Sequence, residues 1–349
     1  DGSLSQTGHG RLTDAEWRSA QEATLVSSES TEVASTLGVV IPTIGDRPEL
    51  KRLLLTILAQ TRPVQAIQVV VDADDTTLVD AILAELQGDL GRTVVEVQRT
   101  GVMRTEGDYL VDTGYGYTVN RGLERLDTDL VSFLDDDDEI RPSHFAQLEA
   151  ALDPSAGRSA SYSRVLVVNP DGAERHHPEG TMPAGKIPVG VLIDAHPVLL
   201  PATLMHRSVL DTVQSLDQTL DREADTDMIV RLGLATEFAA VDDPTYVYYR
   251  VSRKAIVNER VLSERSRMLH KHQSHLTRRE KLHLWDPIGR SALRAGFTEI
   301  GRDAGEQVIS ALWNHAPGFL VGWYVFLRGR QTPEFIKRAV KRLSGGPGQ

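Results

Sequence analysis

Four consecutive aspartates, Asp135 to Asp138, follow the mostly apolar run Leu130–Leu134 in the segment LVSFLDDDDEIRP. Adjacent carboxylates repel by about 1 kcal/mol per pair in water and by several times that where solvent is thinned, so crowding them at the end of a strand makes most sense beside a cation. Hard oxygen ligands suit Mg2+ or Mn2+. The alternative is a solvated acidic turn that favours the N-terminus of the helix opening at Pro142, and the residues alone leave both readings open. A second acidic group, Glu223, Asp225 and Asp227 in LDREADTDMIVRLG, opens an amphipathic stretch. Such acids either stabilise a helix start or supply a general base. Pro42, Thr43, Asp46 and Arg47 close the run GVVIPTIGDR, and Asp72 closes IQVVVD.

The elements that must carry these residues follow from periodicity. Strands are predicted at Gly38–Thr43, Ile67–Asp72, Thr93–Gln98 and Leu130–Leu134, with helices between them at about 48–59, 77–86 and 116–126. This alternation predicts an α/β fold with a mostly parallel sheet covered on both faces and ligands at the carboxyl ends of the strands. Past residue 150 the rhythm loosens. A hairpin is expected over 163–175, turning at Asn169-Pro170-Asp171-Gly172, then an extended stretch over 198–205, a helix over 225–234, a strand over 238–250, and helices from about Glu259 to Leu343. Three regions result: an extension over 1–36 with a short helix behind the Thr13–Glu16 capping box, a main domain over 37–250, and a helical region over 251–349.

Composition narrows the function classes. The 349 residues are 40% hydrophobic and 25% charged, which is ordinary for a globular chain, and a net charge of -11 argues against a general nucleic-acid binder. The absence of cysteine removes disulfides, thiolate metal sites and cysteine nucleophiles. No stretch reads as a signal peptide or a bilayer span, which predicts a cytoplasmic location. Near the C-terminus, apolar and aromatic residues from Phe319 to Leu327 precede Arg328, Arg330, Lys337, Arg338, Lys341 and Arg342. That pattern suits either peripheral membrane contact or a core helix or homo-oligomer contact with a basic end.

Taken in order, GVVIPTIGDRPELKRLLLTILAQT, VVVDADD, TVNRGLERLDTDLVSFLDDDDEIRP, LDREADTDMIVRLG and VDDPTYVYYR resemble the family 2 inverting glycosyltransferases of the GT-A fold, from about Gly38 to Arg250. The resemblance implies a Rossmann-like sheet with a helical C-terminal extension. It also implies a metal-dependent enzyme that moves a sugar from a nucleotide diphosphate, UDP by default, to a hydroxyl of a glycan, glycolipid or other acceptor in cell-envelope glycan or glycoconjugate synthesis. By the family's Asp-X-Asp pattern, Asp135 and Asp136 would meet the donor and Asp137 the Mn2+ or Mg2+, with Asp138 as the alternative ligand. Pro42, Thr43 and Asp72 would form the base pocket, and Arg47, Asn120 and Arg121 are further donor-side candidates.

The catalytic base implied by the same alignment is Asp225, with Ala224 where the family has a glutamate and with Asp227 and Glu223 as competitors. After the last strand the stretch VSRKAIVNE holds no histidine, so Arg253 or Lys254 is the candidate for the diphosphate. Thr203 and His206 fall in an acceptor-side segment or are structural. His176 and His177 read as solvated, and His270, His272 and His275 as a polar helix face. Two alternatives remain: a catalytically idle module that binds a glycan or a partner protein, and a metal-dependent nucleotidyl or phosphoryl transferase. The lack of a glycine-rich phosphate loop counts against the second.

Overall fold

Val39 and Ile41 of strand β1 (Leu37–Thr43) point to one face of a sheet and Val40 to the other, and all three are fully buried. The computed structural model describes residues 35–313 apart from 101–104, 107–108, 111–113, 221 and 251–258. The expected N-terminal helix, Arg253, Lys254 and the basic aromatic tail lie outside the described residues.

After β1 the chain runs through α1 (Glu49–Leu58), β2 (Ala66–Val71), α2 (Thr77–Leu86), β3 (Val94–Arg99), the short ribbon β4 (Thr105–Glu106) and β5 (Tyr109–Leu110), and α3 (Gly114–Leu123). It continues through β6 (Leu130–Phe133), β7 (Glu139–Ile140), α4 (His144–Ala151), β8 (Ala160–Val168), β9 (Glu174–His177), α5 (Val189–Asp194), β10 (Thr203–His206), α6 (Arg207–Val213), α7 (Ala224–Ala235) and β11 (Phe238–Tyr249). Helices α8 (Glu259–His272), α9 (Arg278–Ala295) and α10 (Thr298–Trp313) follow.

The main sheet has the order β3-β2-β1-β6-β10-β8-β11-β7, with β9 beside β8. β1 lies parallel to β2 from Gly38↔Ala66 to Thr43↔Val71, and parallel to β6 from Leu37↔Leu130 to Val40↔Phe133. The chain therefore builds outward from β1 on one side and returns to its other side at β6, which opens a crevice at their carboxyl ends. The parallel expectation holds for β3-β2-β1-β6. Beyond β6 the sheet is mixed, because β10 enters antiparallel to both β6 and β8.

Each face of the sheet has its own core. On one, Leu50, Leu53 and Leu54 of α1, Val79 of α2 and Phe145 of α4 cover Val39, Ile41, Val69 and Val71. On the other, Val119 of α3 and Met228 of α7 pack with Val40, Val70 and Phe133, and the same core runs on into Met268, Trp285 and Val308 of the last three helices. α3 sits so close to the sheet that a Cβ on Gly122 would lie 2.5 Å from Val40 Cγ1 and 3.0 Å from Val70 Cγ2. Gly122→Ala is therefore expected to cost about 1–3 kcal/mol through overpacking, read as a lowered urea midpoint at unchanged slope.

Candidate active site

A cavity of about 270 Å3 opens over the carboxyl ends of β1 and β6. Pro42, Thr43, Arg47, Asp72, Asp135, Asp136 and Asp137, all foreseen from sequence, line it. The register explains their meeting: Leu134 N–H continues the pairing by donating to Val40 O at 3.0 Å, so the next residues of the acidic run emerge beside the end of β1. The turn after β1 needs Gly45, whose φ is 81° and where a Cβ would stand 2.9 Å from Asp75 O. Gly45 N–H donates to the Thr43 hydroxyl at 3.0 Å, and that hydroxyl hydrogen-bonds Asp136.

The acids are not equivalent. Asp138 is fully buried and faces away from the cavity, accepting from the Tyr246 hydroxyl at 2.6 Å and the Tyr249 N–H at 2.9 Å. This corrects its candidacy as the alternative metal ligand: the β7–β11 pairing, Tyr246↔Ile140 and Val247↔Glu139, turns it inward. Burial pushes its carboxyl up to about 7 against the pull of those two donors. Arg52 pairs with Glu139 at 2.6 Å and donates to the Asp137 carbonyl at 2.8 Å, which fixes the loop from the α1 side. The three remaining aspartates are left to the cavity.

Burial pushes Asp136 up to about 6, with the Thr43 hydroxyl and Arg47 working in the opposite direction. Asp135 is raised well above the usual carboxylate range by burial and then by the charges of Asp138, Asp137, Asp136 and Asp225. Arg47 forms ion pairs with Asp137 and, at 3.5 Å, with Asp136. Burial works against the Arg47 charge, but Asp136, Asp137, Asp46 and Glu49 together outweigh it and raise its pKa.

Among the described residues no group of three or more His, Asp or Glu side chains could hold a metal ion by itself. Asp136 Oδ2 is buried without a hydrogen-bond partner between two other cavity carboxylates. This donor set fits a hard cation held by one or two carboxylates and completed by phosphate oxygens and water, as Mg2+ commonly is.

At the other end of the cavity Asp72 is 6% exposed, its N–H bonded to Thr43 O at 2.7 Å and its carboxylate accepting from the Thr100 hydroxyl at 2.6 Å. Asn120 and Arg121 do not line the cavity. Asn120 is buried and exchanges two 2.9 Å hydrogen bonds with the Leu216 backbone, while Arg121 pairs with Glu124 on the surface at 2.7 Å. The residues of α3 that do line it are Gly114, Tyr115 and Thr118, joined by Ile44 after β1. Gly114, Thr118 and Gly122 recur every four residues, and this stripe of small residues was the available signal for the sheet-facing side of the helix.

Asp225, the second residue of α7, is half-buried and accepts from the Thr226 N–H at 2.7 Å. Burial raises its carboxyl pKa. Tyr115 links it to the cavity: burial raises the phenol well above its usual range, and the charges of Asp135 and Asp225 both add to the effect. The competing acids are engaged elsewhere. Glu223 pairs with Arg265 at 2.7 Å. Asp227 has no exposed side-chain surface and accepts from Arg231 at 2.8 Å, Lys271 at 2.9 Å and His272 at 2.7 Å. An enclosed, triply held carboxylate is a poor base, which removes Asp227 as a runner-up.

The sequence model of glycosyl transferase family 2 matches residues 38–213. No curated protein sequence matches the chain. Among solved structures, S. aureus TarS 1-349 in complex with UDP-GlcNAc superposes with a TM-score of 0.57 at 16% identity, over 82% of this chain and 83% of that one. S. aureus TarS in a longer form gives a TM-score of 0.54 at 16% identity, over 80% of this chain and 48% of that one. The likeness is one of fold, and the fold is the GT-A arrangement expected from the sequence.

Burial alone would raise the Asp227 carboxyl, but His272, Arg231 and Lys271 outweigh it and lower it from 3.8 to about 2. Because the folded value lies below the unfolded one, the stability this group contributes is present above about pH 4 and is lost as the pH falls through 2. Asp227→Asn should therefore be less stable than the parent at pH 7 and show a smaller further loss between pH 4 and pH 2. Urea titrations at the three pH values measure both differences.

Proposed function

Since the chain belongs to glycosyl transferase family 2, we propose that it transfers a sugar from a nucleoside-diphosphate sugar, UDP-linked by default, to an acceptor hydroxyl with inversion at the anomeric carbon. The observation that carries this reading is the cavity at the β1/β6 crevice, with Asp72 at one end and Asp135 to Asp137 at the other. The first suits a base and the second a metal-bound diphosphate. The acceptor is proposed to be a hydroxyl of a cell-envelope glycan or glycolipid. Among the described residues no helix is long and apolar enough to cross a membrane.

Asp72, oriented by Thr100, would accept the imide N–H of uracil, a choice supported by the UDP-GlcNAc held by the S. aureus relative. Asp137 would hold Mn2+ or Mg2+ together with the donor's phosphates, with Asp135 and Asp136 facing the donor beside it. Once bound, such a cation neutralises the charge that builds on the departing diphosphate. Arg47, now engaged with Asp136 and Asp137, would donate to the same phosphates. Asp225 would take the proton of the acceptor hydroxyl as its oxygen attacks the sugar from the face opposite the diphosphate. Burial raises its pKa, which strengthens it as a proton acceptor.

A thermal-shift panel of UDP, GDP, dTDP and CMP, each with and without Mn2+, tests the donor assignment. A nucleotide at a hundred times its dissociation constant stabilises the fold by about 2.7 kcal/mol. One diphosphate should give a Mn2+-dependent shift that Asp137→Ala diminishes. Asp225→Asn should retain that shift and lose sugar transfer by a hundredfold or more. A shift insensitive to Mn2+ and to Asp137→Ala would remove the cation from the reading, and full transfer by Asp225→Asn would remove the base.

A further inference from the structure

Helix α8 reaches the chain on both sides of Asp225. Two residues before it, Glu223 pairs with Arg265 at 2.7 Å, and a second nitrogen of that arginine donates to Ile193 O at 2.8 Å. Two residues after it, Asp227 receives His272 at 2.7 Å and Lys271 at 2.9 Å. The approach to α7 is held as well. Glu264 accepts from the Arg222 N–H at 2.8 Å, Arg267 donates to Thr219 O at 3.0 Å, and Lys271 also pairs with Asp217 at 2.7 Å.

We infer that α8 sets the position of Asp225, with His272 and Lys271 acting as positioning residues through Asp227. This rests on the reading of Asp225 as the base. Arg231, four residues along the same helix, already gives Asp227 an ion-pair partner at 2.8 Å, so α7 does not need a second and third donor for its own sake. What those donors add is a link to another helix. Charge-assisted hydrogen bonds to an enclosed carboxylate are short and directional, so they fix the first turn of α7 in place as well as in energy. A base at a helix start has few backbone restraints of its own, and a displacement of about 1 Å can cost about a hundredfold in rate.

The test compares His272→Leu, which removes the donor, with His272→Gln, which can keep one, in the full chain. His272→Leu should lower kcat for transfer about ten- to a hundredfold while leaving the donor KM and the UDP–Mn2+ thermal shift within about twofold of the parent. His272→Gln should recover most of kcat. Lys271→Met, whose side chain is 37% exposed in the parent, should show the same split to a smaller degree and serves if His272→Leu does not fold. Unchanged kcat in a folded His272→Leu or Lys271→Met protein would overturn the inference, as would kcat and KM worsening together without rescue by glutamine. Asp225→Asn separates the two readings. If it transfers normally the base assignment fails; if it is inactive while the α8 variants keep full kcat, the base stands and the role of α8 falls.

Discussion

Everything at this site depends on holding like charges together at the end of β6. Four carboxylates in sequence, with a fifth at Glu139, cannot all remain ionised and buried without compensation. The fold answers in three ways. It turns Asp138 inward against Tyr246 and the backbone of Tyr249, it sets Arg47 on Asp136 and Asp137, and it pairs Glu139 with Arg52. What remains is paid in protonation: burial brings Asp136 to about 6 and Asp138 to about 7, close to neutrality. A corner so loaded favours any positive charge that can enter it, and among the described residues Arg47 and Arg52 supply such charge.

Asymmetry among the acids follows from strand pairing and not from their order in sequence. β6 brings Asp135 out beside the end of β1, and two residues of β7 pairing with β11 reverse the direction of Asp138. Of the four, Asp135, Asp136 and Asp137 face the cavity. The sheet thus converts a uniform run into a graded one, with cavity-facing carboxylates followed by a buried one that anchors the loop.

Much of this was legible in the sequence because it was local. The strand–helix alternation to β6 and the strand-end positions of Thr43, Asp72 and Asp135 depend only on apolar runs and their terminators. What could not be read was set by phase or by distance along the chain. Asn120 and Arg121 lie on the correct helix, but its phase turns them to the Leu216 backbone and to Glu124, while Tyr115 and Thr118 face the cavity. The Asp138–Tyr246 contact joins residues more than a hundred positions apart, and the Arg47–Asp137 pair spans 90. No pattern within a strand or helix encodes either. His272, read as one of a polar helix face, is buried on Asp227 for the same reason.

Ala224, where the resemblance implies a glutamate, is explained by packing. Its side chain is fully buried, and a Cβ built on Gly116 of α3 would lie 3.6 Å from the Ala224 Cβ. A glutamate there would have to bury its carboxylate between two helices, at a cost that a small residue avoids. The small-on-small contact brings α3 and α7 together closely enough for Tyr115, on one helix, to feel the charge of Asp225 on the other as well as that of Asp135 across the cavity. The acids on either side of Asp225, Glu223 and Asp227, are both held by α8.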